Sequence, residues 1–84
     1  MYNVFYTSSA ARQLRRLPHD VHPRIESAVE GLSSDPRTLH TEKLEGSPNA
    51  YRLRVGEYRI LFTIDDRTHI VTVYRIRHRR EAYR

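Results

Sequence analysis

Guanidinium, imidazole and phenol groups are concentrated in the C-terminal part of the chain, residues 51–84. Arg52 and Arg54 alternate with apolar residues, and Arg59 lies in the next alternating segment. The chain ends in RIRHRREAYR, which adds further arginines, a histidine and a tyrosine. Guanidinium groups make planar, bidentate contacts with phosphate, but their pKa, above about 12, makes them poor proton acceptors at neutral pH. The arginines could therefore bind a phosphodiester, whereas proton transfer would need the histidine or the tyrosine.

The net positive charge of the chain lies entirely in this part. Residues 1–50 contain six basic and six acidic residues, whereas residues 51–84 contain nine arginines and four acidic residues, which accounts for the net charge of +5. Because this part is also rich in β-prone residues, we expect the arginines to be displayed on one sheet and the tail that follows it. A polyanion, with RNA or DNA first, is the partner that this distribution indicates.

The length of 84 residues predicts a single small domain, residues 1–84, that buries roughly 60 to 65% of the surface of its unfolded chain. The absence of cysteine excludes a disulfide framework, a thiolate zinc site and a cysteine nucleophile. The apolar runs are too short to span a bilayer, and MYNVFYTSSA lacks the features of a signal peptide. We therefore expect a cytoplasmic protein with no membrane partner.

The N-terminal part predicts one strand followed by two helices. Residues 2–7 alternate with β-branched and aromatic side chains, which is typical of a strand. Ser8 or Ser9 can cap a first helix, which ends at Pro18. Asp20 can cap a second helix, in which apolar residues recur at helical spacing.

The remaining chain predicts a loop and a sheet. Residues 33–49 contain Pro, Gly, Ser and Asp at close intervals and are predicted as a loop. Three alternating segments follow, separated by turns at residues 56–57 and 65–67, and predict an antiparallel meander that ends at Ile76. The expected fold class is α+β, in the order β-α-α-β-β-β, with both helices on one face of a small, mainly antiparallel sheet. The first strand should join this sheet at an edge or beside the last strand.

This order of elements, together with YRLRVGEYRILF and RIRHRREAY, resembles the RelE/ParE superfamily of bacterial and archaeal toxins over essentially the whole chain. The most specific part is a Gly-x-Tyr-Arg element that begins at Gly56, followed by a His-Arg pair and the near-terminal Tyr83. Members of the RelE branch are endoribonucleases that enter the ribosomal A site and cut mRNA, each held inactive by an antitoxin encoded beside it.

The resemblance therefore implies a toxin of a type II toxin-antitoxin system, an mRNA interferase that inhibits translation. Its implied partners are a 70S-type ribosome, mRNA and a cognate antitoxin, RelB-like or of another family, in a toxin-antitoxin hetero-oligomer. It implies no cofactor and no metal.

The resemblance also implies which residues bind phosphate. Arg52 and Arg54 are similar to two basic residues of the family that hold phosphate on the first meander strand. We expect Arg77 to bind phosphate as well. Arg59 matches the basic residue that steadies the scissile phosphate. Preorganised donors of this kind contribute about 3 to 4 kcal/mol each to stabilising the transition state.

Cleavage without a metal requires groups that move protons as the 2′-oxygen attacks the adjacent phosphorus. Arg79 matches the C-terminal arginine that stabilises the developing charge or the leaving group, and Tyr83 matches the terminal tyrosine that stacks on the base or helps to deprotonate the 2′-hydroxyl. We expect Tyr83 and His78 to transfer the protons, since Arg54, which is Lys in some relatives, cannot serve as a base. Carboxylates held in reserve as the base are Glu42, Glu45 and Glu57.

Two other functions stay open on the sequence. A ParE-like toxin that binds and inhibits DNA gyrase without nuclease chemistry has the same fold. A nucleic-acid-binding protein without toxicity, or a decayed toxin, could keep the same basic face. His19 and His22 are spaced for one helix face but have no third ligand nearby, so we expect no metal site. His40 and His69 are expected on the surface.

Overall fold

The computed structural model describes residues 1–81 and contains one five-stranded sheet with two helices packed on one of its faces. In chain order the elements are β1 (Asn3–Tyr6), α1 (Ser8–Arg15), α2 (His22–Gly31), β2 (Thr41–Lys43), β3 (Ala50–Val55), β4 (Tyr58–Asp65) and β5 (Ile70–His78). The strand order is β1-β5-β4-β3-β2, with β1 parallel to β5 and the other neighbours antiparallel. The predicted α+β class, the meander and the position of the first strand beside the last are confirmed.

A buried row of aliphatic side chains crosses the three central strands. Leu53, Ile60 and Ile76 are cross-strand partners on β3, β4 and β5, and none is more than 5% exposed. Leu14 from α1 and Ile25 from α2 belong to the same core cluster. Because side chains alternate along a strand, the residues beside this row point to the opposite face, which the helices leave open.

The first helix is capped one residue earlier than the sequence predicts. Thr7 has an extended backbone, and its hydroxyl oxygen accepts a hydrogen bond from the amide of Ala10 at 3.1 Å. The prediction of Ser8 or Ser9 as the cap was wrong, because both residues already belong to the helix. Thr7 is therefore the junction between β1 and α1.

The second helix begins without a side-chain cap. Val21 precedes it with a helical backbone, and the carbonyl of Pro18 accepts hydrogen bonds from the amides of Val21 and His22. The prediction of Asp20 as a cap was wrong, because the turn at Pro18 leads directly into the helix. Pro23 lies in the first turn of α2, where no amide donor is needed.

The segment 33–49 is not a loop throughout, as it was predicted to be, because it contains β2. Strand β2 pairs antiparallel with β3, with Thr41 opposite Leu53 and Lys43 opposite Tyr51. The three residues TEK show no apolar alternation, so the sequence carries no strand signal here. The free edge of β3 supplies the backbone partners that make this segment extended.

Strand β5 contains a β-bulge that reverses which residues face the core. Leu61 pairs with Arg75 and Phe62 pairs with Val73, so Tyr74 is the extra residue. Val73 before the bulge and Ile76 after it are therefore both buried although their spacing is odd. The bulge places odd-numbered residues on the open face beyond position 74, and β5 continues two residues past the predicted end at Ile76.

Among residues 1–81, neither helix combines the length and the apolar character that crossing a bilayer would require.

We expect the Ile25→Ala variant to lose about 2 to 5 kcal/mol of unfolding free energy, because Ile25 is fully buried and its truncation leaves a cavity. Urea denaturation followed by circular dichroism measures this loss. Leu39→Ala is the matched control, since Leu39 is 99% exposed and its truncation should change stability by less than about 0.5 kcal/mol. Equal urea midpoints for the two variants would contradict the core described above.

Candidate phosphate-binding face

Three arginines lie side by side on the open face of the sheet. Arg54 on β3 is the cross-strand partner of Arg59 on β4, and Arg59 is in turn the partner of Arg77 on β5. We call these three residues the arginine row. Like charges directly opposite each other destabilise a sheet, so this arrangement costs the free protein stability. An anion bound above Arg59 would relieve that repulsion.

Within the part of the chain that the structure describes, no member of the arginine row forms an ion pair, whereas the neighbouring Arg52 does. Arg52 on β3 lies opposite Glu42 on β2, with Nη2 and Oε2 2.7 Å apart. The hydrogen bond from Arg52 is the main reason why the pKa of Glu42 lies below its ordinary value. Arg59 is oriented by backbone instead, because its Nη1 donates to the carbonyl of Tyr58 at 3.2 Å.

A depression of about 370 Å³ lies where the arginine row meets the edge of the sheet. Its lining residues are Leu39, His40, Thr41, Glu42, Arg52, Arg54 and Arg59. One wall is therefore the chain entering β2, and the other wall is basic. His40 is exposed, as the sequence predicts. Its carbonyl accepts a hydrogen bond from the amide of Arg54 at 3.1 Å, and His40 lines the depression beside the row.

The loop that leads to this wall is anchored at the opposite end of the sheet. Arg37 forms two hydrogen bonds with the carboxylate of Asp66 in the β4–β5 turn, at 3.2 and 2.8 Å. Its Nε donates to the hydroxyl of Tyr51 at 3.3 Å, and its guanidinium lies 5.3 Å from the centre of the Tyr51 ring. The hydroxyl of Tyr2 also donates to Asp66. The hydrogen bond from Arg37, followed by that from Tyr2, holds the pKa of Asp66 below its ordinary value.

His78 is separated from the arginine row by the sheet. It is the cross-strand partner of Tyr58, which packs against the core on the helix side, and the two rings meet edge to face with centres 5.1 Å apart. Its Nδ1 accepts a hydrogen bond from the amide of Arg80 at 3.1 Å. His78 therefore contacts the backbone that follows β5, and it lies away from the face on which the arginine row could bind a phosphate.

Arg79 lies at the end of the β3–β4 hairpin, beyond the row. Its amide donates to the carbonyl of Glu57 at 2.6 Å, and its Nη1 lies 3.4 Å from the carboxylate of the same residue. Of the residues predicted from the sequence, the structure thus brings the arginines that were predicted to bind phosphate onto one face, and it places Arg79 at the β3–β4 turn and His78 on the helix side. Tyr83 lies outside the described residues.

Comparison with known proteins identifies the class. The model of the family described as "ParE toxin of type II toxin-antitoxin system, parDE" matches residues 4–83. The chain therefore belongs to this family of toxins, and the resemblance inferred from the sequence is confirmed.

Individual relatives match over nearly their whole length. The toxins RelG and RelE of Mycobacterium tuberculosis are 34% and 33% identical to this chain, over 99% of it and 97% and 87% of their own lengths. The toxin-antitoxin complex RelBE2 from the same organism contains a chain that superposes with a TM-score of 0.82 at 30% identity, covering 93% of this chain and 98% of that one. The archaeal RelE-RelB complex of Pyrococcus horikoshii shares the fold, with a TM-score of 0.81 at 23% identity and coverage of 93% and 94%.

We expect the pKa of the Asp66 carboxyl to rise toward about 3.9, the ordinary value, in the Arg37→Gln variant, because the hydrogen bond that favours the ionised form is lost. An NMR pH titration of the side-chain carboxyl measures this change. The matched control is Arg67→Gln, which removes an exposed arginine of the same turn and should leave the pKa of Asp66 unchanged.

The lowered pKa of Asp66 also determines how the stability of the protein changes with pH. Since the pKa of Asp66 is lower in the folded protein than in the unfolded chain, its stabilisation is fully present above pH about 3.9 and is lost as the pH falls through the folded pKa. The stability of Arg37→Gln should therefore depend less on pH in that acidic range than the stability of the wild type. Identical Asp66 titrations in the two proteins would contradict the anchoring role of Arg37.

Proposed function

We propose that this toxin is a ribosome-dependent endoribonuclease that cleaves mRNA by attack of the 2′-oxygen on the adjacent phosphorus. The observation that carries the proposal is the arginine row, Arg54, Arg59 and Arg77, on three adjacent strands. The expected products are a 2′,3′-cyclic phosphate and a 5′-hydroxyl, since the attacking 2′-oxygen displaces the 5′-oxygen of the next nucleotide. One domain, residues 1–84, would perform the whole reaction.

The three guanidinium groups of the arginine row repel one another in the free protein, whereas a bound phosphodiester would neutralise them. A phosphate above Arg59 would lie between the guanidinium groups of Arg54 and Arg77, so its two non-bridging oxygens could accept several charge-assisted hydrogen bonds. As the 2′-oxygen attacks, negative charge grows on those oxygens, and fixed guanidinium groups stabilise it without reorganising. Arg52 would hold a neighbouring phosphate after releasing Glu42, or remain paired and leave the row free for a single phosphate.

Proton transfer is proposed to involve the tail. Tyr83 remains the candidate that the family resemblance implies, and Arg79 would neutralise charge on the leaving group. His78 would act by positioning the tail through its contact with Arg80, rather than by touching the reacting atoms. Glu42 is the reserve carboxylate that lines the depression, and it is ionised at neutral pH, so it can accept a proton from a 2′-hydroxyl.

The proposed partners follow from the relatives. Several solved relatives are toxin-antitoxin complexes, including the RelBE2 complex of Mycobacterium tuberculosis. We propose that this chain is likewise held inactive by a cognate antitoxin in a hetero-oligomer, and that the free toxin acts on ribosomes in the cytoplasm. A ribosome that holds mRNA bent in line would contribute several kcal/mol of orientation, which a weak set of proton-transfer groups requires.

Inhibition of DNA gyrase is the second candidate, and the family description naming ParE favours it. The full-length relatives named RelE and RelG favour the nuclease. The fold is common to both, so the reaction itself must separate them.

We expect Arg59→Gln to lower the rate of mRNA cleavage on translating ribosomes by about 10²- to 10³-fold, because it removes the central donor to the scissile phosphate. Primer extension across the mRNA measures the cleavage. Arg67→Gln removes an equally charged side chain in the β4–β5 turn and should cleave at the wild-type rate. If the Arg59→Gln variant cleaved mRNA at the wild-type rate, the arginine row would have no part in the mechanism.

A supercoiling assay on the same proteins distinguishes the second candidate. Inhibition of gyrase by a toxin that leaves ribosome-bound mRNA intact would replace the nuclease proposal with the ParE-like one. A protein that does neither and does not slow growth when expressed would be a nucleic-acid binder without toxicity.

We expect Arg54→Gln to weaken binding of a short single-stranded RNA and to lower the slope of log affinity against log salt by about 0.7, the value for one phosphate contact on a single strand. The RNA carries 2′-methoxy groups so that it cannot be cleaved, and fluorescence anisotropy measures its binding. The Arg67→Gln protein serves again as the control. An unchanged slope for Arg54→Gln would mean that this side chain does not contact phosphate.

A further inference from the structure

A histidine continues the arginine row at the edge of the sheet. Strand β2 pairs antiparallel with β3, and Thr41 is the partner of Leu53. One residue earlier in this register, His40 comes opposite Arg54, and the hydrogen bond from the amide of Arg54 to the carbonyl of His40 extends the ladder to that position. The order across the sheet is therefore His40, Arg54, Arg59 and Arg77.

The side chain of His40 shares a face with the arginine row. Side chains two residues apart in an extended chain point to the same face, and Glu42 forms its ion pair with Arg52 on the open face. His40 is exposed and lines the depression together with Arg54 and Arg59. Because opposed residues of an antiparallel pair have Cβ atoms about 5 Å apart, the imidazole lies next to the Arg54 side chain.

The backbone on both sides of His40 is fixed by hydrogen bonds. The amide and the hydroxyl of Thr41 both donate to the carbonyl of Thr38, at 3.0 and 2.7 Å, and the amide of His40 donates to the hydroxyl oxygen of Thr38 at 3.3 Å. The ion pair of Arg37 with Asp66 anchors the chain just before this turn. The backbone therefore positions His40 while its exposed imidazole stays free to contact a ligand in the depression.

An imidazole supplies a proton acceptor, which the arginine row lacks. Guanidinium groups only donate hydrogen bonds, whereas a neutral imidazole has one ring nitrogen that accepts a proton. Glu42 also lines the depression, but the hydrogen bond from Arg52 that lowers its pKa makes it a weaker base. A base that titrates near the working pH is the most effective, and an imidazole fits this requirement better than such a carboxylate.

The charged groups around His40 make its own charge change identifiable. Among residues 1–81, those that line the depression with it are Glu42 on its own segment, Arg52 and Arg54 on β3, and Arg59 on β4. The arginines stay protonated, and Glu42, with its lowered pKa, stays ionised across the range from about pH 5 to 8. Of these described groups, His40 is the one whose residue type changes charge in that range.

The position of His40 at one end of the row suits attack on a phosphate held at the centre. Neighbouring strands are about 4.8 Å apart, so the backbone of His40 lies about 10 Å from that of Arg59. The attacking 2′-oxygen approaches to about 3 to 3.5 Å from the phosphorus, in line with the bond that breaks. An attack from the side of β2 therefore places the 2′-hydroxyl between the phosphate and the imidazole, and directs the leaving group toward β5.

We propose that His40 is a catalytic residue, the general base that removes the proton from the attacking 2′-hydroxyl. This inference rests on the proposed function and deepens it. The 2′-oxygen passes its proton to the free ring nitrogen of His40 and forms a bond to phosphorus, and the bond between phosphorus and the 5′-oxygen breaks. The 5′-oxygen leaves with the electron pair of that bond and takes a proton from water. Tyr83 would then have the stacking role, the other one that the family resemblance implies.

The test compares the His40→Gln variant with a His69→Asn control. His69 is an exposed histidine at the opposite end of the sheet, with φ of 56°, and asparagine tolerates this left-handed backbone. Cleavage of ribosome-bound mRNA is followed with toxin in saturating excess, so that the rate reports the chemical step, at several pH values between about 5 and 8. Thermal unfolding and the affinity for ribosomes carrying a 2′-methoxy mRNA are measured for the same proteins.

We expect His40→Gln to cleave about 10²- to 10⁴-fold more slowly than the control above pH about 7, because general-base catalysis contributes a factor of this size. Wild type and control should cleave faster as the pH rises from about 5 to 8, and the variant should lose this rise. Stability and affinity for the 2′-methoxy complex should equal those of the control. Equal cleavage rates, or a rise with pH that the variant keeps, would overturn the inference. A slower rate explained by an equal loss of affinity would make His40 a phosphate ligand and would overturn it as well.

A second substrate separates removal of the proton from protonation of the leaving group. In this mRNA, sulfur replaces the 5′-oxygen at the scissile position, and a thiolate leaves without needing a proton. The deficit of His40→Gln should be as large on this substrate as on normal mRNA. A deficit that disappears would assign His40 to the leaving group and overturn its role as the base.

The wild-type protein separates this inference from the proposed function. If the wild type cleaves ribosome-bound mRNA and His40→Gln matches the control, only the role of His40 is overturned. If the wild type leaves ribosome-bound mRNA intact, the nuclease proposal is overturned, and the role of His40 falls with it.

Discussion

The buried row of Leu53, Ile60 and Ile76 sets the alignment on which the candidate site depends. Burial of these side chains under the helices fixes the register of β3, β4 and β5, because a slip of one residue would expose all three. The residues next to them in sequence must then align as well, on the other face. The repulsion within the arginine row is therefore imposed by the core and persists in the free protein.

The ion pairs of the described residues lie around this row and include none of its three arginines. Arg37 with Asp66 ties the loop before β2 to the β4–β5 turn, Arg52 with Glu42 ties β2 to β3, and Arg79 with Glu57 ties the end of β5 to the β3–β4 turn. All three pairs are largely exposed, so each contributes little to global stability. Their effect is to position the edge and the loop that surround the row.

Charge is thus distributed over two separate surfaces on a very small protein. The open face offers guanidinium groups at the spacing of neighbouring strands, whereas the helical hairpin formed by α1 and α2 offers them at the spacing of a helix turn.

Much of this could be predicted from the sequence, because apolar periodicity is a local property. The order of the elements, the meander and the alternation of Arg52 and Arg54 with apolar residues were all predicted. Strand β2 was not predicted, because three polar residues carry no pattern and only the edge of β3 makes them extended. The same pairing brings the exposed His40 beside the row, a proximity that the sequence did not indicate.

By itself the sequence determined that the chain is a basic α+β toxin with arginines at alternating positions along its strands. Which arginines meet was decided by the tertiary structure, through the bulge at Tyr74. Simple alternation from Val71 and Val73 would turn Arg77 toward the core and His78 toward the open face. The extra residue reverses this, since packing Ile76 against Ile60 buries more apolar surface than an unbroken ladder would. Arg77 thereby joins the row and His78 leaves it.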